Sequence, residues 1–466
     1  MNFLDAIIGL SPGPLILLLV ALATAFAFEF INGFHDTANA VTTVIYSRSL
    51  PPVAAVVYSG FLNFLGVLLG GTAVAFSIVN LLPVDLLVDA RSGAALVMVL
   101  SLLLAGVIWN LGTWYIGLPV SSSHTLIGSI VGVGLANSLW TGQSLAGVNW
   151  QECLKVGLAL LISPLLGFVL AALLLLVLKA TVRSPRLYQP PPEHDRPPGW
   201  IRTLLIGTCG GVSFAHGSND GQKGMGLLLL VLIGFLPLHY ALSVTEPHRA
   251  PEVRAAALQI REKLSSQGYE LPAPVLEAIK LLDRELAERS SFDELPRDRE
   301  VRWEVRQSIM TISRHLKAVA ADPDIPPPLR QELEQIRKRK LLPAVEYVPT
   351  WVVMGTALAL GIGTCIGYRR IVITIAEKIG KQHLAYAQGA AAESVAAITI
   401  LLAAVTGMPV STTHVLSSGV AGTMVANRSG VQRHTLIKIL TAWVLTLPAT
   451  ICLAGILFVL GRLITP

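Results

Sequence analysis

Gly117-Leu118-Pro119-Val120-Ser121-Ser122-Ser123-His124 returns late in the chain as Gly407-Met408-Pro409-Val410-Ser411-Thr412-Thr413-His414, with five of the eight positions identical. A second pair repeats more loosely: Gly33-Phe34-His35-Asp36-Thr37-Ala38-Asn39 and Gly217-Ser218-Asn219-Asp220-Gly221-Gln222-Lys223. Asp36 precedes His124 by 88 residues and Asp220 precedes His414 by 194, an excess of 106. A charged segment from 243 to 348 has that length, and removing it brings the halves into register. The chain reads as a duplication carrying one insert.

The composition around these motifs is that of a membrane protein. Of 466 residues, 53% are hydrophobic and 14% charged, against roughly 25% charged in an average soluble domain. Apolar runs cover 14–34, 53–82, 94–116, 153–178, 203–238, 349–367, 384–406 and 436–460. About 20 apolar residues span a bilayer, whose interior cannot satisfy backbone amides outside a helix. The expected fold is an all-α polytopic membrane protein of about 10–12 membrane helices, some of them discontinuous or paired as helical hairpins. Whether the repeats run parallel or inverted depends on an odd or even span count. Hydropathy leaves that open, since 203–238 crosses either once with a break or twice.

The expected organisation is a first repeat at 1–183, a proline-rich linker at 184–199, the start of the second repeat at 200–242, a soluble helical insert at 243–348, and the rest of the second repeat at 349–466. The insert holds eighteen Lys/Arg and eighteen Asp/Glu, so the remaining chain carries the whole formal charge of +6. Helical patterns at Val253–Leu264 and Val275–Arg289, separated by Pro272 and Pro274, suit a small solvated domain or a regulatory lid. Basic residues border the apolar runs, at Lys179, Arg183, Arg186, Arg196 and Arg202 and again at Arg369, Arg370, Lys378 and Lys381. This is the pattern of cytoplasmic anchors rather than a nucleic-acid surface. It puts the insert on the cytoplasmic side. The cysteines Cys153, Cys209, Cys365 and Cys452 form no CxxC and read as small buried apolar residues. Met1–Leu10 lacks a basic leader, so the first span is expected to remain in the protein.

Eleven acids lie outside the insert, and four of them interrupt apolar stretches: Glu29, Asp36, Asp220 and Glu393. A charge at the bilayer centre costs several kcal/mol and usually marks an ion or substrate path; the alternative is a protonated or paired carboxyl that holds helices together. The Pro-Val-Ser-Ser-Ser-His and Pro-Val-Ser-Thr-Thr-His elements read as helix starts, where free N–H groups, hydroxyls and a positive dipole end suit an anion. One copy is indistinguishable from an ordinary N-cap; two copies suit a tetrahedral oxyanion gripped from both sides. His124 and His414 close these elements as metal ligands, proton shuttles or structural hydrogen-bonders. Lys223 stands where the first repeat has Asn39, balanced either by a bound anion or by Asp220 one turn earlier.

These motifs resemble those of the inorganic phosphate transporter (Pit) family, whose bacterial low-affinity branch shares the signatures at 33–40, 117–124 and 407–414. The resemblance covers both halves apart from the insert. It implies two inverted repeats, a homodimer, phosphate held by Ser121, Ser122, Ser123, Ser411, Thr412 and Thr413, and coupling cations near Asp36, Asn39, Asn219 and Asp220. Gln388, Glu393 and Asp220 are candidates to accept the proton of monohydrogen phosphate, Lys223 to face the anion, and His35 and Glu393 to carry protons. His35 replaces an asparagine of the family signature and Gly221-Gln222-Lys223 departs from its second copy. A charged Lys has no lone pair to give sodium, whereas His titrates near neutrality. The expectation is therefore secondary transport of inorganic phosphate, free or as metal–phosphate, by proton symport in a bacterial cytoplasmic membrane. No resident cofactor or metal is expected. Sodium coupling and transport of another oxyanion such as sulfate are the alternatives. A membrane hydrolase would need one nucleophile and one base, but this chain duplicates both and lacks a Gly-x-Ser-x-Gly elbow. A passive channel has no use for buried titratable pairs.

Overall fold

The computed structural model describes residues 7–8, 10–82, 94–142, 148–191, 196–243, 248–296, 299–367, 372 and 379–464. Among them there is no β-strand beyond an isolated bridge between Gly380 and Val431. The basic residues Arg369, Arg370 and Lys378, linker positions 192–195 and most of Met1–Leu10 lie outside the described residues. The chain divides into two compact units, Leu19–Val231 with Pro349–Pro466, and Leu232–Val348 with Met1–Leu18.

The first unit is a helical bundle. Its elements are α1 (Pro12–Tyr46), α2 (Pro52–Leu69), α3 (Ala73–Val79), α4 (Ala94–Tyr115), α5 (Ser122–Trp140), α6 (Trp150–Thr181) and α7 (Gly199–Phe235). After the insert follow α12 (Thr350–Thr364), α13 (Tyr386–Val405), α14 (Thr412–Ala426) and α15 (Arg433–Ile464). Helices α1 and α7 begin in this numbering at or before the unit boundary and run through it. Among the described residues six helices, α1, α2, α4, α6, α13 and α15, are long and apolar enough to cross a membrane. They expose many large apolar residues, such as Leu154, Leu158, Leu161 and Leu165 on α6 and Val444, Leu445, Ile456 and Leu460 on α15. This chain is a membrane protein, and such a surface suits a hydrocarbon surrounding. Cys452 lies exposed on the apolar outside of α15, unlike the buried Cys209. It was expected to be buried, but lipid accepts a small apolar side chain as readily as a core does.

Two of the sequence expectations take a definite form. The run at 203–238 is one unbroken helix, α7, as far as Phe235, while 53–82 breaks at Gly70–Thr72 into α2 and α3. Each hydroxyl element opens a buried helix: Ser121 and Ser411 are N-caps whose hydroxyls accept from the backbone N–H of His124 and His414. The preceding turns use Gly117 and Gly407, both at φ +71°, a conformation that glycine adopts without steric cost. Helices α4 and α13 thus turn back into α5 and α14 as two matching hairpins.

The halves interlock crosswise, through small residues that let backbones touch. Gly33 of α1 meets Leu360 of α12, while its counterpart Gly217 of α7 meets Asn63 of α2. Gly132 of α5 meets Ile451 of α15, and Gly422 of α14 meets Phe168 of α6. A Cβ at any of these positions would collide with backbone.

The second unit is built on α8 (Arg249–Ser266), α9 (Ala273–Glu285), α10 (Arg299–Ala321) and α11 (Pro327–Ile336). Its core contains Val253, Ile260, Ile279, Leu282, Ile309, Ile312, Leu316 and Leu333. The prolines that punctuate the sequence here are helix starts, Pro272 before α9 and Pro326 before α11. The chain enters and leaves side by side: Ser243 N–H donates to Ala344 O at 2.8 Å. Arg306, fully buried, donates to Ala241 O and Val345 O at 2.7 and 2.9 Å.

Candidate functional site

Helices α1 and α7 bring their polar faces together inside the bundle. On α1 the face holds Glu29, Asn32, Asp36 and Asn39; on α7 it holds His216, Asp220 and Lys223. The spacings of three and four residues keep each set on one side of its helix. All seven residues are at most 4% exposed. Their contacts run in opposite chain order: Asp36 lies beside His216, Asn32 reaches Asp220, and Glu29 rests against Gly224.

The two buried helix starts close over these faces, α14 onto the Asp36 carboxylate and α5 onto the Lys223 ammonium of the other half. Thr412 and Thr413 of α14 donate to Asp36 Oδ2 and Oδ1 at 2.9 and 2.6 Å, and Asn39 donates to Thr413 Oγ1 at 3.2 Å. Opposite them, Lys223 Nζ donates to Asp220 Oδ1 at 2.6 Å, Ser123 Oγ at 2.5 Å and Val410 O at 2.9 Å. Ser123 in turn donates to Val410 O. Between the halves, His216 Nε2 lies 3.5 Å from both Asp36 Oδ2 and Asp220 Oδ2, its ring held by Asn63 Oδ1 at 2.7 Å from Nδ1. Asn63 also donates to Thr364. Asp36, His216 and Asp220 thus offer three ligand atoms within 4.8 Å of one another.

The remaining expected residues fall into two groups. His35 Nδ1 is 3.3 Å from Asp36 Oδ1 and Asn219 donates to Met408 O, so both belong to the cluster. Ser121 and Ser411 spend their oxygens on helix caps, whereas Ser122 Oγ is buried with no hydrogen-bond partner. Gln388 and Glu393 have other partners. Gln388 accepts from its own helix start at Ala385 N and donates to Ser429; Glu393 accepts from Thr208 of α7 at 2.6 Å. Behind the caps, the His124 and His414 rings meet at a tilt, 4.5 Å between centroids, and His414 stacks on Trp443 at 3.9 Å.

Buried acids, an ammonium and two helix N-termini meeting at one internal point suit a carrier of a small anion and its counter-ion. The description "Phosphate transporter family" applies to the family model that matches residues 32–454. The chain belongs to that family. The low-affinity inorganic phosphate transporter PitB of Escherichia coli (strain K12) is 42% identical, over 98% of this chain and 98% of the relative. PitA of the same strain is 44% identical, over 95% and 96%. A probable low-affinity inorganic phosphate transporter of Bacillus subtilis (strain 168) is 28% identical, over 97% and 98%. A solved sodium-dependent phosphate transporter shares the fold, with a TM-score of 0.63 at 19% identity, covering 96% of this chain and 100% of the other.

This inorganic phosphate transporter is not an enzyme. Three residues at its polar centre escaped the motif reading: His216, Asn32 and Asn63. His216 and Asn32 occupy the same place in the two repeats, four residues before Asp220 and Asp36. Extending the motif comparison backward by one residue, from Gly33 and Gly217, would have found both. Asn63 has no such signal.

Proposed function

We propose that this transporter carries phosphate with protons rather than sodium, binding the anion between the starts of α5 and α14. The observation that carries the coupling reading is Lys223. Its ammonium takes oxygens of Ser123, Asp220 and Val410, the ligand type a sodium ion would need. An ammonium offers no lone pair, so the second half-site already holds its own fixed cation. What remains to cycle is a proton, on Asp36 and the His216 that bridges it to Asp220. The solved relative's sodium dependence belongs to that protein, at 19% identity.

Substrate and proton are linked through hydroxyls. Thr412 and Thr413 have one hydrogen each to donate, and both now give it to Asp36. Phosphate oxygens at the α14 start compete for them, together with the unpartnered Ser122 hydroxyl. A carboxylate stripped of donors in a buried site is costly, and a proton relieves that cost. Binding of each ligand then favours the other by the same free energy.

The opposite order of contacts along α1 and α7 supports inverted repeats, because these equivalent helices run antiparallel. A homodimer in a bacterial cytoplasmic membrane, with 243–348 on the cytoplasmic side, follows from the family and the basic flanks. The Asp36–His216–Asp220 group favours a second reading of the substrate, phosphate accompanied by a divalent metal, since imidazole with carboxylate suits such ions.

The test is labelled phosphate uptake by proteoliposomes under an imposed pH gradient or sodium gradient, with and without a divalent-metal chelator. The expected result is uptake driven by the pH gradient and indifferent to sodium, while Lys223→Asn becomes stimulated by sodium. Sodium-dependent uptake by the wild type would overturn the coupling reading. Uptake of sulfate in place of phosphate would overturn the substrate.

A further inference from the structure

Glu29 is a buried acid that the coupling scheme leaves without a task. It lies on α1 seven residues before Asp36, two turns along the same face. It is 0% exposed, and neither carboxylate oxygen has a hydrogen-bond partner. Its polar neighbour Asn32 directs its amide at Asp220. The carboxyl group packs on the backbone of α7 at Gly224, where a Cβ would collide with it. Gly224 directly follows Lys223.

The charged and titratable groups that face Glu29 are Asp220, Lys223 and His216, all on α7. Helices α4 and α12 pack beside it, Gly106 against Phe28 and Gly355 against Phe26, and contain no Asp, Glu, His, Lys or Arg. The nearby Asn32 amide is directed at Asp220, and a carboxylate with so little hydrogen bonding in such a place costs several kcal/mol. Its charge has to be met by a proton or by a cation. The cation at hand is Lys223, which spends all three of its hydrogens on Asp220, Ser123 and Val410.

We infer that Glu29 is a proton-binding coupling residue and the alternate counter-ion of Lys223. Glu29 holds a proton while Lys223 is bound to Asp220. When phosphate leaves the starts of α5 and α14, the ammonium turns from Asp220 and Ser123 to Glu29, whose O–H bond gives up its proton to water, so anion and proton are released to the same side. Lys223 keeps its three hydrogens throughout, so one proton leaves per exchange of partner. This rests on the proton-coupled reading above.

The experiment compares wild type with Glu29→Gln in proteoliposomes, by phosphate–phosphate exchange and by net uptake under a pH gradient with an internal pH dye. Exchange in Glu29→Gln is expected within about twofold of wild type while pH-driven uptake and its proton flux fall by about tenfold or more, the range of ordinary coupling free energies. Equal pH-driven uptake and proton flux in the two proteins would overturn the role of Glu29 and leave proton coupling standing. A wild type driven by sodium instead would overturn both. Should Glu29→Gln fail to assemble, the intact protein carries the test through dicyclohexylcarbodiimide, which adds to protonated carboxyls in apolar surroundings. Mass spectrometry should find the adduct on the peptide containing Glu29 together with loss of net uptake; a fully inhibited protein unlabelled at Glu29 would overturn the inference.

Discussion

Lys223 in the membrane bundle and Arg306 in the insert are both sealed from solvent, at 1% and 2% exposure, and they are held in different ways. Lys223 bonds a carboxylate, a hydroxyl and a carbonyl, three kinds of partner, two of which are side chains that phosphate or a cation can claim. Arg306 bonds two backbone carbonyls, Ala241 O and Val345 O, where the chain enters and leaves the insert. Burial lowers its pKa to about 10, which leaves it charged at neutral pH. Its partners are fixed by the fold. One cation is arranged to change partners and the other to staple a domain shut.

The sharpest way to break this contrast is to remove the carboxylate. Asp220→Asn leaves the Lys223 charge buried with neutral partners, and breaking a buried pair in this way costs about 3–5 kcal/mol. Thermal unfolding in detergent should show the loss, and adding Lys223→Met should recover most of it. If Asp220→Asn alone were as stable as wild type, Lys223 would not depend on its carboxylate and the contrast would fail. The staple gives the next largest effect. Arg306→Met strips donors from Ala241 O and Val345 O, at about 1–3 kcal/mol for each unsatisfied group. Faster amide exchange should follow across α8–α11, with phosphate uptake retained. Loss of uptake with unchanged exchange would place Arg306 in transport instead.

Exchangeable partners should also show up in affinity. Thr413→Val deletes one of the two hydroxyls that bind Asp36 and that we assign to phosphate. One such hydrogen bond contributes about 1–1.5 kcal/mol, so half-saturation for phosphate should rise by roughly tenfold. A rise without loss of pH coupling would confine the threonine to substrate binding.

Much of this contrast was legible in the residues. The duplicated hydroxyl elements marked the two buried helix starts, because Pro followed by hydroxyls opens a helix wherever it occurs. Asp36 and Asp220 stood out as acids in apolar surroundings. What was hidden is pairing across the halves: no spacing rule says that Thr412 and Thr413 meet Asp36, 376 and 377 residues away, or that Lys223 meets Ser123. Gln388 and Glu393 show the same limit. A polar residue in an apolar run signals a buried partner, and for these two the partners are Ala385 and Ser429 in one case and Thr208 in the other. Arg306 was invisible among the eighteen basic residues of the insert, since neutral charge balance conceals which one is buried.

The smallest effect belongs to a surface pair in the insert, the counterpoint to both buried cations. Glu334 accepts two bonds from Arg337, at 2.7 and 2.6 Å, on the last turn of α11. The Arg337 hydrogen bonds hold its carboxyl below the ordinary glutamate value of 4.5. A depressed acid contributes stability that is present above its unfolded pKa and is lost as pH falls through the folded one. Glu334→Gln should therefore destabilise the insert only at pH above the ordinary glutamate range, and by no more than about 1 kcal/mol because the pair is partly exposed and screened. Salt should shrink the difference further. Amide exchange in 327–341, followed in wild type and variant from neutral to acid pH, should converge as the carboxyl protonates. A difference that persists in acid would mean that Glu334 works through packing, and that exposed charges in this domain are held as firmly as Arg306.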